Sequence, residues 1–171
     1  MLEIEVKVRV KDPAAARQAL LGSDAVLEKD RHLEDNTLFD FPGRSLHAKK
    51  CALRLRRAGR KIFLTFKGTP QKSRRFKVRP EHETELKNEK ELRRIFSFLG
   101  LHSTFRYQKF RTTFRRGRLK ISLDETAAGN FLEFEGQRSD IIKYAKSLGF
   151  SAADLIKRDY VEILQGEKGK L

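Results

Sequence analysis

Two carboxylates and a lysine spaced i, i+2, i+4 open the chain as Glu3-x-Glu5-x-Lys7, and the same kind of spacing returns further on as Glu83-x-Glu85 and Glu133-x-Glu135. On a strand, side chains alternate faces, so each pair projects side by side from one face about 6–7 Å apart. Such oxygen pairs suit a hard divalent ion, Mg²⁺ or Mn²⁺, which takes carboxylate ligands without help from sulfur or imidazole. Basic residues recur with the same period: Lys7 and Arg9, Arg54 and Arg56, Lys67, Lys109 and Arg111, Arg118 and Lys120. Guanidinium and ammonium groups arrayed opposite carboxylates match a polyanion whose charge is shared with a metal.

These residues need strands to position them. In MLEIEVKVRV, Leu2, Ile4, Val6, Val8 and Val10 occupy one parity and the charged residues the other. The alternation predicts a strand with one oily face. Taken alone it describes an edge strand with a solvated face equally well. Asp12-Pro13 then reads as an N-cap and first helical residue, for a short helix over 14–21 stopped by Gly22. Residues 25–40 read as extended, ending at the turn Phe41-Pro42-Gly43, with a loop or single helical turn over 45–50. CALRLRRAG reads as a strand with Leu53 and Leu55 opposite Arg54 and Arg56, Ala58-Gly59 as a hairpin turn into the strand KIFLTFKG, and a further strand runs through Glu85 after the loop 68–75. Asn88 with Glu91 three residues on predicts a capping box, opening a helix closed by Gly100 with an apolar stripe of Leu92, Ile95, Phe96 and Leu99. Strands follow over 104–114, 118–124 and 131–135, then a helix capped by Ser139 and ended by Gly149. The tail through Leu164 is ambiguous, and residues 165–171 are expected to fray.

The layout suggests two similar halves within one domain, 1–171. Each opens with a Glu-x-Glu strand, passes through a short helix and returns as three strands. With the helices covering the oily faces, about eight antiparallel strands would curl into a barrel whose charged faces point inward. The expected class is therefore α+β, an antiparallel β-barrel with a charged lumen and helices packed outside. The alternative is an open sheet with helices on one side and a solvated charged face on the other.

Composition narrows the partners. The formal net charge is +15 on 171 residues, which points to anionic partners: nucleic acid, phosphorylated small molecules or lipid headgroups. Glu-x-Glu pairs repel a nucleic-acid backbone unless metals intervene, so nucleic acid is not the expected partner. The segment KFRTTFRRGRLK, basic with interleaved Phe, is the best argument for it. Cys51 is the sole cysteine, which excludes an intrachain disulfide and a cysteine metal cluster; the four histidines show no ligand spacing. No stretch is apolar for long enough to span a membrane, and the charged start speaks against a secretory signal, so the cytoplasm is the expected location.

Taken together in order, Glu3-x-Glu5-x-Lys7, LRLR (53–56), LTFKG (64–68), ETEL (83–86), KFR (109–111), SLDE (122–125) and FLEFEG (131–136) resemble the CYTH, or triphosphate tunnel metalloenzyme, superfamily. The resemblance spans nearly the whole chain and implies an eight-stranded tunnel that binds a triphosphate and Mg²⁺ or Mn²⁺. It implies phosphate binding by Lys7, Arg54, Arg56, Lys67, Lys109 and Arg111, and metal ligation by Glu3, Glu5, Glu133 and Glu135. Glu83, Glu85 and Asp124 would serve as further ligands or as organisers of the basic residues; Glu5, Lys7 and Lys67 would bear most directly on catalysis. LTFKGTP, KSR and SLDET…GNFLEFEG are most similar to the class IV adenylyl cyclase branch, which converts ATP to cyclic AMP and pyrophosphate. Residues 35–40 carry Leu38 and Phe39 where thiamine-triphosphatase-like members carry a tyrosine. Hydrolysis of inorganic triphosphate, a nucleoside triphosphate or thiamine triphosphate is the alternative, and a non-catalytic polyphosphate or nucleic-acid binder is the second. The oligomeric state, homodimer included, is not legible in the sequence.

Overall fold

A computed structural model describes residues 2–168. The strands are β1 (Leu2–Val10), β2 (Val26–Asp40), β3 (Ala52–Ala58), β4 (Lys61–Lys67), β5 (Lys77–Leu86), β6 (His102–Arg116), β7 (Leu119–Thr126) and β8 (Gly129–Glu135). They close into a barrel in the order β1-β5-β4-β3-β2-β6-β7-β8, and the pairings between them are antiparallel, as expected from the alternation. The helices are α1 (Pro13–Leu21), α2 (Ser45–Ala48), α3 (Glu89–Phe98), α4 (Arg138–Ser147) and α5 (Tyr160–Lys168), with a 3₁₀ turn at Ala152–Asp154. Residues 165–168, expected to fray, continue α5; the remainder of that expectation, 169–171, lies outside the described residues, as does Met1.

The chain divides into two compact units that interleave rather than following one another. One holds residues 33–71 and 79–108; the other holds 3–32, 72–78 and 109 onward. β2, β5 and β6 each contribute one end to each unit.

In the second unit, the oily parity of β1, β7 and β8 is buried under α1 and α4. Val6, Val8, Ile121, Leu123, Leu132 and Phe134 pack with Leu20, Ile141 and Tyr144 in one cluster. In the first unit, Phe39, Leu55, Phe96 and Leu101 form the corresponding cluster, flanked by Leu53, Ile62, Leu64 and Leu92. Because parity alternates, each of these faces forces the charged residues of the same strands onto the face that the helices leave uncovered.

Three helix expectations need correction. Within α3, Phe96 is buried, but Ile95 and Leu99 are 52 % and 62 % exposed, because only one edge of the predicted stripe meets the sheet. For α4 the N-cap is Gln137, without a side-chain bond, and Ser139 lies inside the first turn. At α3 the capping box is half made. Asn88 accepts from the Glu91 amide at 3.1 Å, whereas the Glu91 carboxylate turns to Arg94 at 2.6 Å. Asn88→Ala should therefore cost about 1 kcal/mol of stability, measured by urea unfolding, since one amide of the first turn loses its acceptor.

Candidate functional site

The charged face of the second unit carries a connected set of buried ions. Asp124 on β7 is its hub, fully buried. It accepts from Lys109 Nζ at 2.9 Å, from Arg111 Nε at 2.6 Å and from Arg111 Nη2 at 2.5 Å. Arg111 Nη2 also donates to Glu133 Oε1 at 2.8 Å. The ladder explains the convergence: Arg111 stands opposite Asp124 on the β6–β7 pair. Lys7 stands opposite Glu133 on the β1–β8 pair. Its ammonium bridges Glu133 Oε2 at 3.0 Å and Glu5 Oε1 at 3.3 Å.

Electrostatics favour the charged forms of Lys7 and Asp124. Burial works against the Lys7 ammonium, but the charges of Glu133 and Glu5 outweigh it and hold its pKa above the ordinary lysine value. Lys7 is therefore a fixed positive charge and not a proton acceptor at neutral pH. Burial likewise works against the Asp124 carboxylate, and Arg111 and Lys109 outweigh it, so its pKa is lowered.

Tyr160, at the start of α5, completes the set and was not legible in advance. Its hydroxyl donates to Asp124 Oδ2 at 2.5 Å. Its ring lies 4.9 Å from Lys7 Nζ and 4.3 Å from Lys109 Nζ, within cation–π range of both. Burial, and then the Asp124 charge, push its pKa well above that of free tyrosine, so it stays a donor. The chain just before α5 is held as well: the Lys7 amide donates to Ile156 O at 2.9 Å, and the Ile156 amide donates to Lys7 O at 2.7 Å.

The first unit carries a second ionic set on its uncovered face. Arg56 donates to Glu34 Oε1 at 3.2 Å and to both Glu83 oxygens at 3.0 Å. Arg54 reaches Thr65 Oγ1 at 3.3 Å, and Thr65 donates to Glu83 at 2.6 Å. Lys67 pairs with Glu81 at 2.6 Å. Arg54 is partly buried; burial opposes its charge, but Tyr107, Glu34, Glu81 and Glu83 raise its pKa nonetheless. Sequence reasoning missed Glu34 and Asn36 because residues 26–35 are charged on both parities, which erases the period. Arg79, 4 % exposed on β5, was missed too; its parity with Glu81 was the available signal.

Not every expected residue joins these sets. Glu85 pairs with Lys61 at 3.0 Å, with both side chains at least half exposed. Glu135 pairs with Lys120 at 3.0 Å, each about one-third exposed. Arg9 leaves the charged set: it donates to Ala128 O at 2.7 Å and lies over Phe131. A Cβ at Gly129 would sit 2.6 Å from this guanidinium, and the φ of +105° there also favours glycine. Arg118 falls in the β6–β7 turn, outside β7.

The all-oxygen donor set fits a hard divalent ion. Glu5 stands directly opposite Glu135 on the β1–β8 ladder, an arrangement of like charges that needs a cation between or beside them. Glu3 is buried on the same parity of β1. The Lys7 ammonium fills that role for Glu5 and Glu133, and among the described residues no three acidic, His or Cys side chains converge as a ready metal cage. A metal would have to share these carboxylates with Lys7.

The basic segment 109–120 does not form a continuous surface. Lys109 and Arg111 are buried on Asp124; Arg115 pairs with Glu28 at 2.8 Å and Arg116 with Asp24 at 3.0 Å. A cavity of about 520 Å³ in the first unit lies on the helix-bearing side. Its charges are paired among themselves, Arg57 and Arg93 with Glu89, and Arg106 with Asp35, and they tie α3 and β6 to the sheet.

The fold is a closed antiparallel barrel whose charged face holds buried lysines and arginines among carboxylates. Residues 1–160 match the CYTH domain, and the chain belongs to that family. A protein of Methanocaldococcus jannaschii named as a candidate adenylate cyclase is 27 % identical, over 95 % of this chain and 98 % of its own. A crystal structure of a candidate adenylate cyclase from Vibrio parahaemolyticus superposes with a TM-score of 0.86 at 24 % identity, covering 96 % of this chain and 98 % of that one. A Hippeastrum protein, described as a candidate adenylyl cyclase with dominant triphosphatase activity, gives a TM-score of 0.68 at 21 % identity, covering 99 % and 97 %. No helix among the described residues is long and apolar enough to cross a membrane.

Proposed function

We propose that this chain is a divalent-metal-dependent enzyme acting on a small-molecule triphosphate, with the class IV adenylyl cyclase reaction, ATP to cyclic AMP and pyrophosphate, as its preferred activity. The observation that carries the reading is the trio Lys7, Lys109 and Arg111, buried yet held charged by Glu5, Glu133 and Asp124. Burying several ions at once is costly unless the arrangement is used. Fixed cations in a site of low dielectric stabilise charge that develops on phosphate oxygens, with no reorganisation at the moment of reaction. Arg54, Arg56 and Lys67 offer a second set of phosphate-matching groups. Glu3, Glu5, Glu133 and Glu135 would hold Mg²⁺ or Mn²⁺, which would neutralise phosphate charge and orient the chain of phosphates.

In cyclisation the ribose 3′-oxygen attacks the α-phosphorus, loses its proton, and pyrophosphate leaves. In hydrolysis water is the nucleophile. The second reading, a triphosphatase, is favoured by the activity named for the Hippeastrum structure. Incubation with ATP, inorganic triphosphate and thiamine triphosphate under Mg²⁺ or Mn²⁺, with products identified, separates the two. Cyclic AMP with pyrophosphate supports the first and orthophosphate release the second; no product from any substrate ends both. Arg56→Ala should weaken triphosphate binding by about 1.5–3 kcal/mol, the value of hydrogen bonds to a charged group. Unchanged binding would show that the first unit's arginines do not bind triphosphate.

A further inference from the structure

Asn36 lies on β2, directly opposite Arg56 and two residues from Glu34. It is 0 % exposed, and neither end of its amide has a hydrogen-bond partner among the described residues. A buried amide left idle at both ends calls for an explanation, because buried polar groups are nearly always paired. The Nε of Arg54 is idle in the same way. The neighbourhood is thus one hydrogen-bond arrangement of a set of groups that could form another.

We infer that Asn36 is a positioning residue that takes over Glu34 when a bound polyphosphate draws Arg56 away, which rests on the triphosphate reading above. Arg56 is committed to two carboxylates, Glu34 and Glu83. An incoming phosphate must win the guanidinium from them. Glu83 keeps the Thr65 hydroxyl as a donor at 2.6 Å. Glu34 is 3 % exposed, and a carboxylate so deeply placed cannot exchange its guanidinium for bulk water. Residues i and i+2 of a strand share a face about 6–7 Å apart, so the Asn36 NH₂ can swing to Glu34. A neutral donor suits the role. It stabilises the carboxylate once Arg56 departs, yet does not compete with Arg56 for phosphate as a lysine would. Complete burial fits this account better than direct ligand contact.

The test is a double-mutant cycle on binding of inorganic triphosphate, read by calorimetry in EDTA so that no turnover intervenes. Asn36→Leu should raise the Kd about tenfold, the loss of one hydrogen bond to a charge. In a Glu34→Gln background, where no buried charge is stranded, the same change should raise it less than about twofold. An equal loss in both backgrounds, or none in either, overturns the inference. If leucine at this position prevents folding, Asn36→Ala gives the same cycle without excess bulk. Arg56→Ala separates the two levels of argument. If it leaves binding intact, polyanion binding by the first unit's arginines fails, and the role of Asn36 with it; if it weakens binding while the cycle is additive, only the role of Asn36 falls.

Discussion

Replacing Asp124 with alanine lowers the unfolding free energy by about 3–5 kcal/mol, the cost of breaking a buried ion pair from one side. The carboxylate serves Lys109, Arg111 and Tyr160 at once. Without it two cations remain buried with less negative charge around them, Glu133 still facing Arg111. Denaturant unfolding at neutral pH checks this, with Asp124→Asn as companion: asparagine keeps the volume and acceptor oxygen but not the charge. A loss below about 1 kcal/mol in the alanine variant would show that the cluster relaxes or takes in water. The pH dependence has a definite sign. The folded-state pKa of Asp124 is lowered, so its stabilisation is complete above the unfolded aspartate value of about 3.9 and is lost as pH falls through the lower folded value. Acid unfolding of the asparagine variant should therefore be shallower below about pH 4.

Lys7→Met should separate catalysis from metal affinity. Methionine nearly matches the length of the side chain and suits a buried site, but carries no charge. With the ammonium gone, kcat should fall about 10²–10³-fold, as when one preorganised donor to developing charge is removed. Glu5 and Glu133 lose the cation that bridges them, so apparent Mn²⁺ affinity should rise, followed by titration of the paramagnetic ion. Activity within a few-fold of the parent would deny Lys7 a role on phosphate. Weaker Mn²⁺ binding would show that the two carboxylates are not shared between lysine and metal.

The parts of the fold legible in advance are those where polarity alternates cleanly. β1, β7 and β8 carry oily residues on one parity, and both their existence and an apolar buried face follow from that; β4 was legible as a strand, but its buried residues are Thr65 and Lys67, while Phe66 is exposed. Lys7 and Glu133 came into view because each lies on such a strand, and Arg54, Lys109 and Arg111 through the recurring charged parity on β3 and β6. β2 was legible as extended but not as to face, since Glu28, Lys29, Asp30 and Arg31 place charge on both parities; Glu34 and Asn36 were hidden with it. Tyr160 was hidden for another reason. It reaches Asp124 from a helix that follows an irregular segment, and no periodicity in a strand encodes a side chain arriving from elsewhere. Glu85 and Glu135 show the converse failure, since parity identifies the face but not the depth along the strand at which solvent begins.

The bond between Lys7 and Ile156 sets an order of assembly. β1 precedes the other seven strands of the barrel, yet two main-chain hydrogen bonds of its central lysine, and the tyrosine that flanks the ammonium, come from residues made after β8. Closing a loop of nearly the whole chain costs entropy that local contacts cannot offset early. Such long-range pairing slows folding. The most charged part of the barrel thus stays incomplete, and its ions stay hydrated, until translation has passed residue 160.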